Sequence, residues 1–399
     1  MPSMAIHERP VWVSRDRLDF WCLTGAIAMV GLALGTLLPL TALQLEKQGL
    51  NTARIGIVIA VHALGLVLAV LLCERFTNKF GARQTVQWFG LAAAGTGALM
   101  QYLSNPLFFA AALFFLGIFL GVVLNMVETW VNEVVPADQR GRWLAIHCTL
   151  FTLFQLFGPM LLQYVPSQYA FTTSAGLMFL AWPIYKALST RHVGHDDDSA
   201  TKSVSWLTYL VSSPVIAIST ALFALFDTIV LSLLPVYGLA QGMSTDMALT
   251  SASVVLAGDT LLEIAIGMLA DRFGRARMHT VCGLVLMGSS LLLPLSVGTL
   301  FWWPLLFLMG GAAGGIYVLS MMACGQRFAG KHLLRMTALL GSVWGLASIV
   351  GPLITGALMA QGSRWSIPVV IAAMALSLLA SLIYERRFNI TPFREFARA

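Results

Sequence analysis

The chain has 399 residues, a formal charge of +6, 58% apolar and 11% charged residues, and a mean hydropathy of +0.81. A soluble domain carries roughly 45–50% apolar and about 25% charged residues, so a water-soluble fold is excluded. No long polar stretch could house a domain outside a bilayer, and the basic excess bears on orientation rather than on a nucleic-acid partner.

Arg9, Arg15 and Arg17 precede an apolar run from Phe20 to Leu43. That run exceeds a signal-peptide core and has no small-residue cleavage site before Glu46, so it reads as a retained first helix. A bilayer core needs about 20 apolar residues per helix, and short polar breaks cut the chain into about twelve such segments. They fall near 20–43, 54–74, 84–104, 107–130, 143–164, 168–189, 213–238, 248–270, 278–298, 301–324, 335–359 and 366–385. With both termini in the cytoplasm, 21 of the 24 Lys and Arg residues lie on the inside, and only Lys47, Arg54 and Arg364 lie outside. The positive-inside rule explains that asymmetry, and an incorrect helix count would scramble it. The expected fold is therefore an all-α membrane protein with twelve transmembrane helices and both termini cytoplasmic.

The one sizeable polar stretch, Arg191 to Ser203, reads as a linker. His192, His195 and Asp196 to Asp198 within it form a solvated charge run rather than a metal cluster. The expected organisation is a tail over 1–19, a six-helix bundle over 20–190, a linker over 191–206, a second bundle over 207–386 and a tail over 387–399. Cys22, Cys73, Cys148, Cys282 and Cys324 lack CxxC or CxxxH spacing, so neither a disulfide framework nor a zinc site is expected.

The two bundles repeat one another. Gln48-Gly49 matches Gln241-Gly242, Phe80-Gly81 matches Phe273-Gly274, Gly117 matches Gly310, Gly158-Pro159 matches Gly351-Pro352 and Arg142 matches Arg335, each at an offset of 193. Leu38-Pro39 and Leu234-Pro235 match at 196. An even number of helices per copy gives parallel repeats about an axis along the membrane normal, a frame suited to rocking around a midplane cavity.

After the eighth segment comes GMLADRFGRAR, Gly267 to Arg277. Gly267 would let a neighbouring helix approach, Gly274 would permit a tight turn, and Asp271 could hold Arg272 or Arg275. This element resembles the Gly-x-x-x-Asp-Arg-x-Gly-Arg-Lys/Arg signature of the major facilitator superfamily, and the twelve-helix repeat extends the resemblance over nearly the whole chain. The resemblance implies two six-helix bundles and a latch that holds one conformation. The first-half copy, ERFTNKFGAR, keeps Gly81 and Arg83 but has Glu74 and Asn78 where the signature has glycine and aspartate. The expected latch therefore works chiefly through the second half. EVVPADQRG, Glu133 to Gly141, resembles a further element of some branches, with Glu133 expected in a network with Arg75, Lys79 or Arg83, and Arg140 beside it. The Gly158-Pro159 and Gly351-Pro352 steps resemble the family's antiporter motif, and helix bending alone also accounts for them. NMVETWVNE, taken with the second-half motif, is similar to the YcaD-like, drug-efflux-like bacterial branch.

Charges at membrane depth are costly and tend to line cavities or relay protons. Asp227, Asp259 and Glu263 are the leading coupling candidates. Asp259 and Glu263, at i and i+4, share a face, and two like charges so close resist joint ionisation, so the pair could hold a proton. Asp227 could bind a proton or a cationic substrate. Glu128 is a further candidate, and His62 and His147 are read more as single interhelical hydrogen bonds than as relays. Asn125, Gln155 and Tyr317 could supply substrate hydrogen bonds, with Trp130 and Trp344 as walls.

The expected function is secondary, proton-coupled transport of a small molecule across the cytoplasmic membrane by a monomer, with export of an amphipathic or hydrophobic compound favoured. No cofactor is expected. Import or uniport of a metabolite is the alternative, and a non-transporting receptor a second class. The Met243 and Met247 spacing admits a soft metal, and Asp227 with LAGD at 256–259 admits an intramembrane aspartyl protease, both remote readings.

Overall fold

The computed structural model describes residues 14–136, 139–189, 206–328 and 330–388. Among these the secondary structure is helical, with no strand. The first half comprises α1 (Ser14–Lys47), α2 (Thr52–Phe80), α3 (Ala82–Met100), α4 (Pro106–Val134), α5 (Arg140–Leu162) and α6 (Ala170–Lys186). A short helix, α7 (Trp206–Ser212), leads into α8 (Pro214–Ala240), α9 (Thr245–Phe273), α10 (Arg275–Ser296), α11 (Trp302–Arg327), α12 (Gly330–Met359) and α13 (Ser366–Arg387).

Ten of these helices are long and apolar enough to cross a membrane; α3 and α6, at 19 and 17 residues, are not among them. The predicted segment at 168–189 is shortened by a 3-10 turn over Ser167–Tyr169. Helix α12 begins five residues before the predicted 335, and α7 falls at the edge of the stretch read as linker. The predicted metal-free charge run at His192, His195 and Asp196 to Asp198 lies outside the described residues.

Local chemistry sets the boundaries. Asn51 caps α2 by accepting from the Arg54 N–H at 3.0 Å, and Asn105 caps α4 through Leu107 N–H at 2.9 Å, with Pro106 at the first helical position. Gly81 and Gly274, at φ of 80° and 91°, break α2 from α3 and α9 from α10 at equivalent places, a conformation that a side chain resists.

The helices pack by the same scheme twice. In the first half α1 lies on α5 and α6, α2 on α4, and α3 on α4 and α6; in the second α8 lies on α12 and α13, α9 on α11, and α10 on α11 and α13. The halves meet where α2 packs on α12, α5 on α9 and α1 on α8. The first two of these contacts exchange with one another under the repeat.

The closest crossings repeat too. A Cβ on Gly65 would strike the Phe114 carbonyl and one on Gly117 the His62 carbonyl, while Gly258 faces Phe307 and Gly310 faces Val255 in the same way. All four residue pairs related here differ by 193. Small residues let the backbones approach where lipid supplies no hydrophobic force between helices. Leu38 and Leu231, also 193 apart, meet Leu256 at the junction of α1, α8 and α9, with Leu156 of α5 packed against them. The repeat thus keeps its offset of 193 through the first helix. The Leu-Pro steps matched at 196 are instead displaced by about one helical turn, because a kinking proline is tolerated at more than one level of a packed helix.

Candidate functional site between the two halves

The two ends of the molecule differ. At the end carrying the 48–51 and 241–244 turns, Thr52 donates to the Gly356 carbonyl at 3.0 Å, Gln163 donates to Thr250 at 2.9 Å, and Ser253 donates to the Leu156 carbonyl at 3.0 Å. These bonds tie α2 to α12 and α5 to α9, and the leucine cluster of Leu38, Leu231, Leu256 and Leu156 plugs the axis beside them. Toward the opposite, basic end, the facing residues of α4, α5 and α9 open. Glu128 and Cys148 are exposed and Glu263 is half-buried, yet Glu128 and Glu263, from different halves, both lie within electrostatic reach of the Cys148 thiol and the Tyr317 hydroxyl. Exposed residues that converge from both halves mark the space between them at this end as the candidate site.

One side of that space is aromatic. Phe223 of α8 stacks on Tyr317 of α11 with centroids 4.8 Å apart, and Trp344 of α12 meets them edge-on at 5.6 and 5.4 Å. Offset and edge-to-face arrangements suit the ring quadrupoles, so the three rings fix one another.

Asp259 is only 6% exposed, and no hydrogen bond to it is seen among the described residues. Its Oδ1 occupies the space a Cβ on Gly314 would take, and both Glu263 and Asp227 lie within electrostatic reach. The i, i+4 relation places Asp259 and Glu263 on one face of α9, and Gly314 and Tyr317, one turn apart on α11, follow the same line. Asp227 is half-buried on α8. The first half has no acid at the equivalent positions: Leu34 and Leu66 stand 193 residues before Asp227 and Asp259.

The other expected site residues distribute as follows. His62 pairs with the Leu113 carbonyl at 3.2 Å and His147 with Thr24 at 3.0 Å, each between two helices of the first half. Asn125 donates to Gly121 of its own helix at 2.7 Å. Gln155 is buried, with its backbone carbonyl against Gly35. Trp130 is wholly buried and its indole N–H has no partner among the described residues, so it serves packing and not a cavity wall. Gly158 packs on Gly35 and Gly351 on Leu225, while the Pro352 carbonyl faces Gly56, so these Gly-Pro steps set helix approach as well as bending.

In the motif regions, Asp271 lies 3.9 Å from Arg275 on an exposed surface, a pair of small energetic weight. Arg272 sits over the Phe273 ring as Lys79 sits over Phe80, at 5.4 and 5.1 Å. The expected close approach at Gly267 is not found among the described residues: none of them lies within 4 Å of a Cβ there, because this turn of α9 has left the α11 crossing that Gly258 and Gly310 make. Arg83 donates to the Lys186 carbonyl at 2.5 Å rather than to an acid. Glu133 lies half-buried near the basic end of α4, and the Arg140 side chain lies outside the described residues. Met243 and Met247 line a shallow cleft at the far end with Trp302 and Trp303, and no group of three metal-ligating His, Cys, Asp or Glu residues occurs among the described residues.

Sequence reasoning missed several residues. Phe223 was one apolar residue among many, and Cys148 carried no motif. The Arg327 to Glu385 ion pair, at 2.7 and 3.1 Å, fastens α11 to α13, and Glu385 also accepts from the Val215 N–H at 3.2 Å. Asp19 ties α1 to the end of α6 by accepting from both the N–H and the hydroxyl of Ser189. An acid inside a helix end, next to apolar residues, was the available signal for both.

The sequence pattern of the Major Facilitator Superfamily matches residues 21–258 and 251–398. Among curated relatives, an uncharacterized MFS-type transporter of Yersinia enterocolitica is 24% identical over 98% of this chain and 99% of its own length. YfkF of Bacillus subtilis is 25% identical over 86% and 88%, and YcaD of Escherichia fergusonii 22% over 98% and 99%. Among solved structures, the nucleoside transporter NupG as its D323A mutant superposes with a TM-score of 0.70 at 13% identity, covering 92% of this chain and 99% of that one. A D-xylose-proton symporter gives 0.69 at 16%, covering 90% and 97%. At these identities the solved structures speak for the fold alone. The chain is a multi-pass membrane protein of the Major Facilitator Superfamily, a family of transporters and not of enzymes.

Proposed function

We propose that the protein is a secondary active transporter of the cytoplasmic membrane that moves a small molecule by alternating access, driven by protons, with export favoured. The observation that carries this reading is Asp259, buried without a hydrogen-bond partner among the described residues, seated in the gap at Gly314 and in reach of Asp227 and Glu263. An ionised carboxylate in such a place is costly, so its occupancy by a proton is coupled to what else enters the cavity. With the basic loops taken as cytoplasmic, the leucine plug and the Thr52, Gln163 and Ser253 bonds close the outer side while Glu128 and Cys148 face the inside. Rocking the halves would exchange those states.

Two measurements test this. Neutralising Asp227, Asp259 and Glu263 singly and together should reduce proton movement in dye-loaded proteoliposomes during a screen of metabolites and drugs; unchanged flux in every variant would sink the coupling assignment. Leu38→Cys, in the outer plug, should be labelled by an impermeant maleimide in inverse proportion to Cys148. Labelling of one site independent of the other would favour a non-transporting receptor. The nucleoside and xylose transporters named above share the fold, but this cavity offers aromatic rings and acids, a surface less suited to a sugar's many hydroxyls.

A further inference from the structure

We propose that the substrate is a lipophilic organic cation, held in the central cavity between the aromatic wall of Phe223, Tyr317 and Trp344 and the carboxylates of Glu128 and Glu263. This rests on the transport reading above and gives it a substrate class. The charge balance of the cavity comes first. The stretches 18–46, 55–74, 106–134, 143–162, 214–240, 245–271, 302–326 and 336–359, which form the intramembrane lengths of α1, α2, α4, α5, α8, α9, α11 and α12, contain no Lys or Arg. The deep acids on these helices are Asp227, Asp259, Glu263 and Glu128. A cavity with carboxylates and no Lys or Arg repels carboxylates and phosphates and attracts cations, the more so where the dielectric is low.

The aromatic wall adds the second element. Tyr317 and Trp344 are half-buried, so part of each ring still faces outward from the cluster. Their ring faces carry partial negative charge and bind a delocalised or alkylated cation that water holds weakly. Tyr317 lies within electrostatic reach of Glu128 and Glu263, so ring and carboxylates act on one ligand. Cys148 stands in the same reach of both acids and reports on the site. Asp259, nine-tenths buried and unpaired among the described residues, lies one turn of α9 from Glu263 along this face. It is the group that a proton occupies when the cation leaves, since both charges compete for the same field. The wall offers only the Tyr317 hydroxyl and the Trp344 indole N–H for hydrogen bonding, too few for a sugar's many hydroxyls, and the match is to a greasy cation.

The probe is tetraphenylphosphonium, with tetraphenylborate as its anion of equal shape, in equilibrium dialysis against the full-length protein in detergent. The phosphonium should bind and the borate should bind at least about 100-fold more weakly, as expected of a site whose field has one sign. Glu128→Gln with Glu263→Gln should weaken phosphonium binding about tenfold or more, and Trp344→Leu by a similar factor, the size of a desolvated cation–π contact. On the wild-type protein, phosphonium should protect Cys148 from alkylation and borate should not, a readout that does not depend on a variant folding. Comparable affinity for the two ions, or phosphonium binding unmoved by both glutamate substitutions, overturns the assignment. Reciprocal labelling of Leu38→Cys and Cys148 without phosphonium binding removes the cation site and leaves transport standing. Phosphonium binding without that reciprocity supports the cation site and removes the transport reading.

Discussion

Adding one methyl group at Gly314 separates packing from proton chemistry at the α9–α11 crossing. A Cβ there would meet the Asp259 Oδ1 first, whereas its counterpart one turn earlier, at Gly310, would meet the Val255 carbonyl and the Asp259 backbone N–H. Backbone cannot rotate aside, so Gly310→Ala forces α9 and α11 apart, at a cost of about 1–3 kcal/mol by the measure of overpacked cores. A carboxylate can rotate, so Gly314→Ala should cost only about 0.5–1.5 kcal/mol in rotamer strain, yet remove Asp259 from its seat. The expected outcome is a larger fall in thermal midpoint for Gly310→Ala, and a larger loss of proton coupling for Gly314→Ala, measured in detergent and in dye-loaded proteoliposomes. Asp259→Ala should relieve the strain, giving Gly314→Ala and Asp259→Ala an interaction energy of about 0.5 kcal/mol or more in a double-mutant cycle. Additive effects of the two substitutions, or Gly314→Ala with wild-type coupling and the same midpoint loss as Gly310→Ala, would refute the reasoning.

Other outcomes follow from the same geometry. Cys148 should react roughly tenfold faster or more with a cationic than with an anionic methanethiosulfonate, and Glu128→Gln should narrow that ratio, because neighbouring carboxylates concentrate the cationic reagent. Glu385→Ala, which leaves the Arg327 guanidinium with its bond to the Ser213 hydroxyl but no counter-charge and takes the acceptor from the Val215 N–H, should lower stability by about 1.5–3 kcal/mol, with part recovered in Arg327→Met/Glu385→Leu; equal stability of the two variants would contradict a coupled pair. Gly274→Ala, at φ of 91°, should cost about 1–3 kcal/mol in backbone strain, and Gly267→Ala, with open space around it, almost nothing; thermal midpoints that rank the other way would be inconsistent with the observed turn. Thr52→Val with Gln163→Leu should loosen the outer side and raise labelling of Leu38→Cys, read by mass spectrometry, and unchanged labelling would remove these bonds from the gate.

Hydropathy and an offset of 193 residues determined a great deal without coordinates: the membrane solvent, the helical class, the two-fold repeat, and the decayed first-half signature at Asn78 beside the intact one at Asp271. These features are legible because a bilayer forces each span to satisfy its own backbone, so length and apolarity are written locally. The intramembrane acids could be named for the same reason, since a charge among apolar residues stands out. Direction and contact were not written locally. Nothing in the sequence ranked Trp130, sealed in the first half, below Trp344, which faces Tyr317 and Phe223. Gly267 looked like a packing residue because its motif has a glycine there, yet packing falls to Gly258, Gly310 and Gly314. The tertiary structure alone decided that Glu128, Cys148, Glu263 and Tyr317, drawn from four helices and both halves, come within electrostatic reach of one another, and that Leu38 and Leu231 meet toward the other end. Helix periodicity says which residues share a face, but which face meets which partner depends on rotations of whole helices fixed by small-residue crossings far apart in the chain.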